Sequence, residues 1–205
     1  MIREALSRIG HSYRAAAREP ISGHTLAQFL RHGAAEAVAE SLGDHDFQVH
    51  GSPGQGQWAE VPWIAIFDPI ITTAATRGYY VVYLFSANMA RVYLSLNQGT
   101  TTVREEFGPR TDDELSRRAR LMRSRIPEFE ERFPEITIDL ASSRQLPRDY
   151  EDGHACGISY ALNQLPYEEL LANDLRTLLV GPLKWSSLMT GLVTIETMAS
   201  GAGGR

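Results

Sequence analysis

Lysine is almost absent from this 205-residue chain. Lys184 is the only one, and arginine supplies the rest of the 20 basic residues. A phosphate-binding loop needs a lysine after its glycines, and no G-K-S or G-K-T occurs. Restriction-type nucleases place a lysine two residues beyond an acidic ligand on a strand, whereas Lys184 sits in GPLKWSS with no acid there. The chain thus lacks the usual equipment for hydrolysing ATP or GTP and for the commonest metal-dependent cutting of DNA. Cysteine is equally scarce: one residue, Cys156, excludes an internal disulfide and a cysteine-based zinc site. There is no G-x-S-x-G elbow to support a serine nucleophile. No apolar run is long enough to span a bilayer, and the opening MIREALSRIGHSYR has no apolar core of the signal-peptide kind. A cytoplasmic protein is expected.

What is present is core material. Hydrophobic residues make up 43 % of the chain, enough for one substantial domain with a small helical attachment. The net charge of −5 argues against a protein coated in nucleic acid but leaves room for a local basic patch.

Residues 1–19 carry Ala5, Ile9 and Tyr13 at helical spacing before Pro20 and Gly23 break the pattern. From 25 to 42, Leu26, Phe29, Leu30, Ala37, Val38 and Leu42 recur as one helical face, which Gly43 ends. Residues 44–50, DHDFQVH, alternate as a short strand. His45, Asp46 and His50 lack the spacing and second cluster of a metal site, so no metal and no cofactor are expected.

The stretch 51–98 organises the rest. In SPGQGQWAE, Gly54 and Gly56 flank Gln55 and free the backbone for a turn or for close approach by a ligand. An apolar strand follows instead of a helix, so this is no dinucleotide fingerprint. VPWIAIFD is apolar at almost every position and predicts a strand covered on both faces. In YYVVYLF, Tyr79, Val81, Tyr83 and Phe85 point one way and Tyr80, Val82 and Leu84 the other. SANMAR then turns the chain into RVYLSLNQ, an antiparallel hairpin.

Beyond Gly99, TTVREEFG predicts a short helix and TDDELSRRARLMRSRI a marked one, with Thr111 and Glu114 spaced as a capping box. Arg117, Arg118 and Arg120 on it are candidate phosphate contacts, a helix-borne cluster being the usual footprint of nucleic-acid binding. ITIDL reads as a strand, SSRQLPRDYEDG as a connection, HACGISYAL as the last strand and residues 166–180 as a helix that Gly181 and Pro182 interrupt. The expected fold is α/β (α+β): a central mixed, largely antiparallel sheet covered by helices, behind an N-terminal helical segment. The expected divisions are 1–23, a helical extension; 24–188, the domain; and 189–205, a flexible tail.

The ordered string GQGQW, VPWIAIF, GYYVVYLF, RVYLSLNQG, REEF, LPRDYEDGHACGISY and LPYEELLANDL, from about residue 25 to 185, resembles the McrB-type N-terminal domain. That family is the DNA-binding part of methyl-directed (type IV) restriction systems. The resemblance implies a non-catalytic module that binds DNA carrying a modified cytosine and flips that base into a pocket, since a duplex hides its bases. It implies Gln55, between Gly54 and Gly56, together with Trp63 and Leu84, as pocket residues. The best-known member has an aromatic at the Gln55 position; glutamine hydrogen-bonds a base edge instead of stacking, and Trp58 is the nearby ring that can replace it. McrB proteins continue into a GTPase motor, so a separate GTPase and nuclease are the implied partners. The alternative expectation is a protein–protein adaptor of a defence system on the same fold.

Overall fold

The computed structural model describes residues 1–43 and 46–180. His45, the Gly181–Pro182 interruption, Lys184 and the tail from 189 lie outside the described residues.

Helix α1 (Ile2–Ala16) buries Ile2, Leu6, Ile9 and Tyr13, one stripe at helical spacing. Its first turn is closed from the other end of the chain, where the Glu168 carboxylate accepts the N–H groups of Ile2 (2.7 Å) and Arg3 (2.8 Å). The helix expected over 25–42 is interrupted. Helix α2 (Thr25–Phe29) passes through a π turn (Leu30–Ala34) into α3 (Ala35–Leu42), which Gly43 ends at φ 69°.

Five strands form one sheet in chain order: β1 (Gln48–Ser52), β2 (Trp63–Phe67), β3 (Tyr79–Phe85), β4 (Arg91–Gln98) and β5 (Cys156–Ala161). Every pairing is antiparallel. The alternation in β3 sorts as its sequence predicts. Tyr79, Val81, Tyr83 and Phe85 enter a large core with α1 and the π turn, while Tyr80, Val82 and Leu84 enter a smaller core on the second face. Both faces are covered, as the unbroken apolar run of β2 requires.

The excursion between β4 and β5 carries α4 (Thr101–Phe107), α5 (Thr111–Ser124) and α6 (Gln145–Asp152); α7 (Glu168–Val180) follows β5. Three expectations fail here. Residues 136–140 are not a strand: Ile138 and Leu140 pack onto the second face as extended chain, and the Leu140 carbonyl accepts from the Ala87 N–H at 2.8 Å. Residues 145–152 are a helix, not a connection. The capping box does not form, because a 3₁₀ turn (Gly108–Arg110) runs straight into α5. Thr111 is already helical, its hydroxyl donates to the Gly108 carbonyl at 2.6 Å, and Glu114 pairs with Arg117 and Arg118.

Candidate functional site

The second face of the sheet opens into a cleft of about 410 Å³, between the β1–β2 loop and the first turns of α6. The loop wall starts at Gly51, where an added Cβ would lie 1.8 Å from the Leu30 carbonyl oxygen. Only glycine lets β1 pass the π turn so closely. Gly54 adopts φ 115°, and a Cβ there would meet the Gln57 carbonyl oxygen at 2.1 Å.

The neck of the loop is clamped to the N-terminal helices. The Tyr13 hydroxyl lies 3.0 Å from the Pro53 carbonyl and 2.8 Å from that of Ala59, and burial pushes its pKa up. The Trp58 indole donates to the Glu19 carbonyl at 2.8 Å, its ring edge-on to Tyr13 and His24. Arg31, on the π turn, donates to the Gly54 carbonyl at 3.2 Å. What remains free is the tip, with Gln55, Gly56 and Gln57 exposed. Helix α1 therefore packs in the main core and also braces the site.

Helix α6, which the sequence conceals, is the opposite wall. It is pinned from three directions. Arg104 of α4 pairs with Asp149, the Glu151 carboxylate accepts from the Leu140 N–H at 2.7 Å, and Asn97 of β4 donates to the Tyr150 carbonyl at 2.9 Å. Tyr150 thereby faces the cleft beside Trp63, the first residue of β2. Burial pushes the Tyr150 hydroxyl up to about 12, the Asp149 charge adds to this, and the Trp63 indole N–H lies close enough to pull the other way.

Of the residues expected at the site, Gly54, Gln55, Trp58 and Trp63 line this cleft. Gly56 sits at the exposed loop tip between them. Leu84 is opposite Trp63 in the β2–β3 register and 1 % exposed, so it lies within the second core and not on the cleft wall. Arg117, Arg118 and Arg120 are away from the cleft on α5. Arg117 and Arg118 both hold the Glu114 carboxylate, at 2.7 Å each, and keep its pKa down at about 2. Tyr150 was not singled out in the sequence; its hint was an aromatic one residue beyond a buried-acid position, legible only once α6 is known.

The cleft's one acid and one base cancel, since Glu60 pairs with Arg144 at 3.1 Å and also accepts from Ser142 at 2.8 Å. What is left is neutral: indole and phenol rings, amides and hydroxyls. Behind the cleft Ser95 and His154 form a hydrogen bond of 2.7 Å, but both are buried and the imidazole is held neutral, its pKa lowered to about 3 by burial and then by Arg123. Among the described residues no three His, Cys, Asp or Glu side chains are placed to hold a metal, and no helix is long and apolar enough to cross a membrane.

The family model described as "MrcB-like, N-terminal domain" matches residues 8–181. No curated protein matches the chain. The family match runs from within α1 to just past α7 and takes in the sheet and both cleft walls. The chain therefore belongs to the MrcB-like N-terminal domain family.

Proposed function

We propose that this chain is the DNA-reading module of a restriction or related defence system, which takes a modified base out of the duplex and holds it in the cleft between Gln55 and Tyr150. The neutrality of the cleft is the observation that carries the reading. A site for a phosphate or a carboxylate would present an unpaired cation, whereas here Arg144 is balanced by Glu60. Rings, amides and hydroxyls around about 410 Å³ suit a flat, uncharged, polar heterocycle. Trp63 supplies a stacking face, the amides of Gln55 and Gln57 can read a base edge, and Gly54 and Gly56 allow the backbone to approach. Arg31, which reaches the Gly54 carbonyl, and Arg144, on the cleft wall, are cations suited to flanking phosphates. Arg117, Arg118 and Arg120 would meet the backbone farther along the duplex. Motor and nuclease functions would lie outside the matched domain.

Fluorescence polarisation with methylated, hydroxymethylated and unmodified duplexes tests the reading at low salt, where phosphate contacts count most. Tighter binding of a modified duplex is expected, and no binding to any of them sinks the idea. Two observations favour a protein–protein adaptor instead: two α5 arginines are already engaged by Glu114, and the chain carries a net charge of −5. An adaptor would bind its partner unchanged by Trp63→Ala and show no preference among the duplexes.

A further inference from the structure

Charge is unevenly divided along the chain. Residues 1–34 hold five arginines, Arg3, Arg8, Arg14, Arg18 and Arg31, against two acids, Glu4 and Glu19, a net of +3. Of the 20 basic and 25 acidic residues, 15 and 23 fall in residues 35–205, a net of −8. All five arginines are exposed. Arg8 lies 3.9 Å over the Phe29 ring, and Arg31 reaches the Gly54 carbonyl. Among the described residues, the side chains of Arg3, Arg14 and Arg18 make no ion pair.

The two ends of α1 differ. At its start two carboxylates stand near the Arg3 charge: Glu4 is adjacent, and the Glu168 carboxylate holds the Arg3 backbone N–H. At its end come Arg14 and, in the turn that follows, Arg18. The only acid close to them in the chain is Glu19, whose carboxylate lies 3.4 Å from the His24 imidazole. This end is also the one clamped to the glycine loop. Tyr13, next to Arg14, holds the Pro53 and Ala59 carbonyls, and the carbonyl of Glu19, next to Arg18, accepts the Trp58 indole. Arg14, Arg18 and Arg31 are thus fixed to the same neck that carries Gln55. The apolar stripe of α1 is used up in the core, with Ile2, Leu6 and Ile9 fully buried. A helix that lies on a lipid surface needs such a stripe free. What α1 presents outward is charge, which suits a regular array of phosphates.

We propose that the C-terminal end of α1 and the turn after it form a phosphate-binding surface, on which Arg14 and Arg18 anchor the duplex backbone while the glycine loop addresses the base. The proposal rests on the DNA-reading function above and places its main backbone anchor outside the cleft. Such a contact is blind to modification, because every duplex presents the same phosphates.

The test uses the full chain, in polarisation assays with methylated and unmodified duplexes over a series of salt concentrations. Substituting both Arg14→Gln and Arg18→Gln removes two exposed charges that have no ion-pair partner, so the fold is retained, and circular dichroism verifies this. The slope of log affinity against log salt is expected to fall by about 1.8, at about 0.9 for each lost phosphate contact. Both duplexes are expected to lose affinity by the same factor, at least about tenfold at low salt, with the preference between them kept. Arg3→Gln, at the other end of the helix, is expected to leave the slope unchanged. An unchanged slope in the double variant overturns the surface. A loss confined to the methylated duplex overturns it too, since the two arginines would then belong to base recognition. An equal fall for Arg3→Gln does the same, because net charge alone would account for the effect. A wild-type chain that binds no duplex removes the DNA-reading function, and this surface with it.

Discussion

Arg104 reaches across from α4 to grip both carboxylate oxygens of Asp149 on α6, with Nε 2.9 Å from Oδ2 and Nη2 on Oδ1. Asp149 is 1 % exposed, and the Gln145 amide donates to the same carboxylate at 2.9 Å. The pair fixes the helix that presents Tyr150 to the cleft. Removing one partner of a buried pair leaves an uncompensated charge. Arg104→Met is expected to cost about 3 kcal/mol in urea denaturation, at the low end of the range for such pairs because the arginine is partly exposed. Asp149→Asn, which keeps the shape and removes the charge, is expected to cost less. A change within error for Arg104→Met would mean that α6 is held by packing alone.

Trp63 separates a core role from a binding role. It is half-buried, with its indole at the cleft. Trp63→Ala is expected to cost about 2 kcal/mol, below the 3–5 kcal/mol of a fully buried tryptophan. Binding of the preferred duplex should fall at least about tenfold through loss of base stacking. Circular dichroism beside the binding assay decides: an unfolded variant assigns Trp63 to the core.

The strands were legible because their alternation is strong and covered on both faces. Tyr79 and Tyr80 start a pattern that only a two-sided core can satisfy. Helix α6 was hidden for a physical reason. LPRDYED has a proline in its first turn and too few apolar residues for a helical stripe, and what holds it is a tertiary ion pair with a residue 45 positions away. The ITIDL segment errs the other way: its alternation is real, but it lies over the sheet and not at an edge, so it buries Ile138 and Leu140 without joining the ladder. Thr111 and Glu114 have capping-box spacing, yet arginines one turn on compete successfully for the carboxylate. Of the site, the loop and Trp63 could be read from the residues and the family likeness; the opposite wall could not.

Glu114 makes a second electrostatic prediction. Arg117 first, and Arg118 with it, hold its pKa at about 2, below the ordinary 4.5. A carboxylate with a lowered folded-state pKa adds stability above its unfolded pKa and loses it as pH falls toward the folded value. Glu114→Gln is therefore expected to lower stability by about 1 kcal/mol at pH 7, as charge-assisted bonds on a half-exposed helix are worth. The wild-type advantage should fade between about pH 4.5 and 2. The same substitution removes a negative charge from beside the Arg117 and Arg118 guanidinium groups. If the α5 arginines meet DNA, Glu114→Gln should tighten binding to any duplex and steepen its salt dependence; an unchanged slope would exclude that contact.

His154 sets the behaviour in mild acid. Its imidazole is buried against Ser95, and burial lowers its pKa from 6.5 to about 3. In the unfolded chain it protonates near 6.5, so between those values the unfolded state binds more protons and stability rises with pH. The full contribution is present above about pH 6.5 and drains away as pH falls toward 3. One proton corresponds to about 1.4 kcal/mol per pH unit, so about 2 kcal/mol should be lost between pH 6.5 and 5, before Glu114 begins to titrate. His154→Gln is expected to flatten this part of the profile while retaining a hydrogen-bonding partner for Ser95. Urea midpoints at pH 7, 6 and 5 measure it. A wild-type protein with no acid-dependent loss in that window, or a variant with the same slope, would mean that the buried imidazole is not the group that titrates there.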